Sequence, residues 1–114
     1  MLLHESWEKQ AKKLLTLLWK YKDSEIFHKP VNPIEQGVPN YFNIVKNPMD
    51  FSLIKKKLRE YQYTNFKEFC KDMDLVFNNC FLFNGEKSTV GQLCKNVKDE
   101  YLRLYNSLKM DKFY

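Results

Sequence analysis

Trp7, Ala11, Leu14 and Leu18 step along the chain by four, three and four, with Leu15 and Trp19 beside them and polar or charged residues filling most of the gaps. That period puts one apolar stripe on a helix from about residue 4 to 22. Phe51, Ile54 and Leu58 follow Asp50, whose carboxylate suits an N-cap, and predict a short helix to about Glu60. A third helix begins near Thr64 or Asn65, where Asn65-x-x-Glu68 offers a capping pair. It carries Phe66, Phe69, Cys70, Met73, Phe77 and Cys80 on one face, and Asn84-Gly85 ends it. A fourth starts around Ser88, and its stripe of Val90, Cys94, Val97, Tyr101, Leu104 and Leu108 is the most regular in the chain.

Four amphipathic helices with one apolar face each predict an all-α four-helix bundle. Only the first connection is long enough to cross from one end to the other. The stretch from Asp23 to Asp50 carries all four prolines, Pro30, Pro33, Pro39 and Pro48, which forbid a continuous helix there. It also holds Ile26, Phe27, Val31, Ile34, Val38, Tyr41, Phe42, Ile44 and Val45, too apolar a set for a solvated linker, so the loop is expected to pack against the bundle. Connections of this length inside a compact domain are usually functional.

Composition narrows the picture. At 114 residues the chain fits a single domain, 1–114, and 44% apolar with 16% aromatic residues is too much core material for a disordered tail. Three Gly and four Pro are too few for a sandwich or barrel of many short strands. No apolar run reaches the roughly 20 residues of a membrane span, and Met1-Leu2-Leu3-His4-Glu5 meets a charge before a signal-peptide core can form. Cys70, Cys80 and Cys94 are odd in number and lack C-x-x-C spacing, so they read as reduced, buried thiols of an intracellular protein. The net charge of +5 permits nucleic-acid contact but is spread along the chain and names no partner. Lys55-Lys56-Lys57 reads as a solvated face near a helix C-terminus.

Catalytic readings run out of residues. His4 lies at the start of the first helix and His28 in the long loop, neither with an evident partner. Asp72 and Asp74, two apart, point to different sides of their helix and read as solvent-facing or locally paired. No phosphate-cradling glycine motif is present. One polar cluster remains, Asn78-Asn79-Cys80-Phe81-Leu82-Phe83-Asn84-Gly85. From spacing alone Asn84 reads as a helix terminator, since Asn and Gly both tolerate left-handed cap geometry.

The run Val38-Pro39-Asn40-Tyr41-Phe42-Asn43-Ile44-Val45-Lys46-Asn47-Pro48-Met49-Asp50-Phe51, with Ile54, Leu58 and Tyr61 behind it, resembles the bromodomain signature from the long first loop into the second helix. Phe66, Asp72, Phe77, Asn79-Cys80 and Phe83-Asn84 continue it in register. The resemblance implies a left-handed four-helix bundle whose inter-helix loops surround a pocket for acetyl-lysine in protein tails, often histones, in the nucleus. It implies no catalysis, no cofactor, no membrane and a monomer, with at most weak auxiliary nucleic-acid contact. Carried over residue by residue, Asn84 matches the asparagine that donates to the acetyl carbonyl, and Tyr41 the tyrosine that reaches the same oxygen through water. Phe27, Val31 and Val38 match the apolar wall, with Cys80 and Phe83 beside Asn84, and Val90 matches the residue at the entrance. Pro48-Met49-Asp50 closes the loop and starts the second helix.

This chain departs from the common pattern in three places. Glu25-Ile26-Phe27 stands where many members have Trp-Pro-Phe, Gln36 takes a frequently apolar loop position, and Phe83 precedes the asparagine where Tyr is common. The alternative is a helical adaptor or nucleic-acid-binding bundle in which Asn84 is only a cap. Its binding would track salt and ignore acetylation.

Overall fold

A computed structural model describes residues 6–114. Its α-helices are α1 (Trp7–Trp19), α2 (Tyr41–Ile44), α3 (Phe51–Arg59), α4 (Phe66–Asn84) and α5 (Thr89–Ser107), with 3-10 helices at Lys22–Phe27 and Met110–Phe113. No strand occurs among the described residues. α1 packs on α3 and α5, and α4 packs on α3 and α5, so these four close the bundle while α2 is a single turn inside the long loop.

The caps explain where the helices begin. Ser6 Oγ accepts the Lys9 backbone N–H at 3.1 Å and starts α1. The expected start near residue 4, and His4 itself, lie outside the described residues. α1 ends three residues short of expectation, because Tyr21 is extended and a 3-10 helix takes over at Lys22. Asp50 is buried, and its Oδ2 accepts from the backbone N–H groups of Ser52 and Leu53 at 2.9 and 3.3 Å, and from the Ser52 hydroxyl. Asn65 Oδ1 accepts the Glu68 N–H at 3.1 Å, while the Glu68 carboxylate takes the Thr64 N–H, one residue before the cap. Ser88 caps α5 by accepting the Gly91 N–H at 2.9 Å.

The apolar stripes meet as predicted by their spacing. Leu14, Leu18, Ile54, Leu58, Met73, Phe77 and Val97 are fully buried in one core. Phe27, Phe51 and Phe77 form a cluster of rings with centroids 5.4 to 6.4 Å apart, which joins the long loop to α3 and α4. Within that loop the expectation of packing holds for Phe27, Tyr41 and Val45, which are buried. It fails for Ile34, 84% exposed, and for Ile26, Phe42 and Ile44, which also face solvent. The prolines and helical turns set these side chains outward, and the loop buries only the residues on its bundle side.

Two charged features also differ from expectation. Lys57 is not part of a solvated face: its Nζ lies 2.6 Å from Asp72 Oδ2 with both side chains mostly buried, and 4.6 Å from the Tyr63 ring centroid. The Tyr63 hydroxyl donates to the same carboxylate oxygen at 2.7 Å. Asp72 is therefore paired across elements, tying α3 and the turn after it to α4, while Asp74 is exposed as read. Cys70, Cys80 and Cys94 are all buried and free. Burial pushes the Cys70 thiol up to about 11, with the Asp74 charge adding to it and a hydrogen bond with Tyr101 opposing it.

Candidate functional site

Where α4 ends decides what Asn84 does. Helical backbone runs through Asn84, and the residue with positive φ is Gly85, at +83°, whose N–H donates to Phe81 O at 2.8 Å. Gly85 is thus the terminator, and the reading of Asn84 as the cap is corrected. Gly91 keeps the turn tight: a Cβ there would stand 2.0 Å from the Gly85 carbonyl oxygen and 2.8 Å from that of Glu86. The first turn of α5 therefore lies directly against the backbone that follows Asn84.

Between that turn and the Asp23–Asp50 loop opens a cavity of about 560 Å³. All eight residues singled out in the sequence line it. Asn84, Phe83 and Cys80 come from the last turn of α4, Phe27, Val31, Val38 and Tyr41 from the long loop, and Val90 from the start of α5. Phe27 and Tyr41 are buried, Val31 and Val38 half-buried, and Val90 is 37% exposed at the edge. The Tyr41 ring packs edge-on against Phe83 at 4.9 Å.

Polar and charged residues also line the cavity, namely Glu25, His28, Lys29, Gln36 and Asp50 besides Asn84 and Tyr41. Asn84 Nδ2 donates to Cys80 O at 3.0 Å, one helical turn back, and also lies 3.6 Å from Cys80 Sγ. That back-bond fixes the carboxamide plane. No protein group among the described residues hydrogen-bonds the Tyr41 hydroxyl. Burial, with Cys80 adding to it, raises the Tyr41 pKa, so the phenol keeps its proton and remains a donor. Hydrogen bonds from Cys94 and Asn84 lower the Cys80 thiol against the opposing effect of burial, while the contact with Cys80 and burial raise Cys94.

Several lining residues were not singled out as site residues from the sequence. Met49, read as part of a structural turn, lines the cavity, as do Val76 and Pro30. His28 has partners after all: its Nε2 lies 3.0 Å from Ser24 Oγ and 3.1 Å from Trp19 O, and its ring stacks on Trp19 at 4.2 Å. Asn79 is buried, and its Nδ2 donates to Asn47 O at 2.8 Å, fastening the far end of the loop to α4. A polar side chain adjoining an otherwise apolar helical stripe was the signal for it. Glu25 and Gln36 line the rim and are exposed, so the polar substitutions lie at the mouth and not at the floor.

No group of three or more His, Cys, Asp or Glu among the described residues is arranged to hold a metal. No helix among them is long and apolar enough to cross a membrane.

Comparison with known proteins agrees with this arrangement. The bromodomain family model matches residues 11–96. The chain is 43% identical over 101 residues to the SWR1 complex bromodomain subunit bdf1 of Schizosaccharomyces pombe, covering 89% of this chain and 18% of that protein. It is 44% identical over 88 residues to Bromodomain adjacent to zinc finger domain protein 2A of Xenopus laevis, covering 77% of this chain and 5% of that protein. It thus spans less than a fifth of the length of these relatives. The solved bromodomain of human BAZ1A superposes with a TM-score of 0.85 at 26% identity, over 96% of this chain and 99% of that one. The bundle, the loop that closes over its end and the sequence match together place the chain in the bromodomain family, whose fold is a left-handed four-helix bundle and a binding module.

Proposed function

We propose that residues 1–114 act as one module that binds acetylated lysine in protein tails, with acetylated histone tails as the leading partner class, in the nucleus and as a monomer without catalysis. The observation that carries this reading is that Asn84 and Tyr41 line one cavity together with the apolar residues Phe27, Val31, Val38, Phe83 and Cys80. Asn84 Nδ2 donates to the acetyl carbonyl, Tyr41 reaches the same oxygen through a water, the apolar wall takes the methyl group and lysine stem, and Val90 stands at the entrance. The bromodomain relatives, among them a subunit of the SWR1 complex, support a role on chromatin.

Recognition works as a test of desolvation. Acetylation removes the ammonium charge and leaves a neutral amide that needs about one hydrogen bond at either end. The two carboxylates that line the cavity are poorly placed to replace an ammonium's water: Asp50 is buried and spends Oδ2 on the cap of α3, and Glu25 is exposed at the rim. Burying that charge unpaired costs several kcal/mol, far more than the contacts return.

The deciding experiment titrates one histone-tail peptide in acetylated and unmodified forms. A single acetyl-lysine peptide should bind with a Kd on the order of tens of μM to mM, because the buried group is small. Equal affinity for the unmodified peptide sinks the reading.

A further inference from the structure

On the flank between α1 and α3, a groove of about 400 Å³ is edged by Lys12, Lys20, Lys55 and Arg59. None of its lining residues carries a carboxylate. Among the described residues Lys12, Lys20 and Lys55 form no ion pair, and Arg59 makes only an exposed contact with Glu60 at 3.8 Å. Two of the four cations sit over rings: Lys12 Nζ lies 5.1 Å from the Tyr61 centroid and Lys55 Nζ 5.2 Å from that of Trp19. Between them the lining is mostly apolar, from Leu15, Trp19 and Leu58, with Thr16 beside them and the methylene stems that lysines contribute to such surfaces.

We infer that this groove is a second binding site, which takes an acidic segment of a partner protein carrying at least one bulky apolar side chain. The charge balance asks for a polyanion. The apolar lining asks for more, because a phosphate backbone gains nothing from Trp19 or from Leu15. Stacking of a nucleobase is blocked as well: His28 stacks on the Trp19 ring at 4.2 Å and the Lys55 ammonium sits over it. Carboxylates spaced around a leucine or aromatic residue match both features, with the apolar group against that lining and the acids facing the four cations. The site shares no lining residue with the Asn84 cavity, so the inference stands apart from the acetyl-lysine reading.

The probe is a short fluorescent peptide of Asp and Glu with a Leu and a Trp one helical turn apart. Its controls are the same peptide with Ser at both apolar positions and a short DNA duplex, all titrated by anisotropy. Leu/Trp peptide binding should be saturable and weaken as salt rises, and it should exceed that of the Ser peptide and the duplex at least about tenfold. Lys20→Glu with Lys55→Glu should lower it by at least a further tenfold while the thermal midpoint is retained. If that double variant unfolds, Lys20→Gln with Lys55→Gln serves in its place. Equal binding of the Ser peptide, tighter binding of the duplex, no saturable binding, or indifference to the substitutions would each overturn the inference.

Discussion

Asn84→Asp keeps the size of the side chain and replaces its only donor with an acceptor. In the free protein the change removes the bond from Nδ2 to Cys80 O, 3.0 Å long, and sets a carboxylate oxygen against that carbonyl at the C-terminal end of α4. A lost hydrogen bond of about 0.5–1.5 kcal/mol and a charge at the wrong end of the helix dipole, about 0.3–1 kcal/mol, set a stability loss of roughly 1–2 kcal/mol. The domain should remain folded. Binding should suffer more in proportion, because the acetyl oxygen then meets an acceptor, and affinity should drop at least tenfold, about 1.4 kcal/mol. A carboxylate facing a carbonyl titrates above its ordinary value of about 3.9, so part of the affinity should return in mild acid as the group regains a proton to donate. Urea unfolding and acetyl-peptide titration on one preparation, at neutral pH and near pH 4.5, give all three readouts. A folded variant with wild-type affinity would remove Asn84 from the binding site.

Gly91→Ala forces a methyl group onto the Gly85 carbonyl, which is backbone and cannot swing away. A loss of about 1–3 kcal/mol in unfolding free energy and weaker acetyl-peptide binding are expected, and an unchanged urea midpoint would refute the close approach. Asn79→Ala removes the bond to the carbonyl of Asn47, an exposed residue, at a cost of about 0.5–1.5 kcal/mol for the hydrogen bond. Amides of the Asp23–Asp50 loop should then exchange faster, and unaltered protection would show that the loop is held elsewhere. Burial chiefly raises the Tyr63 and Tyr101 pKa above the ordinary phenol value of about 10, with Asp72 adding to the first and Cys70 to the second. Above about pH 10 the unfolded chain then releases phenolic protons that the folded chain retains, so stability falls as pH rises. Tyr63→Phe should shallow that alkaline slope, and a slope identical to wild type would contradict the buried Tyr63–Asp72 bond.

The bundle was legible because its signals are local. Helical period and capping residues lie within a few positions of each other: Asp50 and Asn65 cap the helices they were expected to cap, and Ser88, where the fourth helix was expected to start, caps it. Features that depend on another element were not legible that way. The Lys57–Asp72 pair joins residues fifteen apart, and nothing in Lys55-Lys56-Lys57 distinguishes the lysine that turns inward from the two that do not. The exposed Ile34 and Phe42 mark the same limit, since a loop without a period gives no way to assign its faces.

The site was legible only in part for a related reason, shown by the two asparagines of α4. Asn84 and Cys80 are four apart and share a face, whereas Asn79 is five residues from Asn84 and so is rotated well away from it. Composition treats the two alike, and both stand near an apolar stripe. Asn79 is buried and directs its amide to Asn47 O, where the loop returns to the bundle. Asn84 is half-buried and spends its bond on its own helix, so its remaining hydrogen-bonding capacity faces the cavity. The first fixes the wall and the second faces the space that the wall encloses. An asparagine is informative about ligand recognition when the fold leaves part of its amide without a protein partner, and that depends on where Gly85 ends the helix and where Gly91 lets α5 approach it.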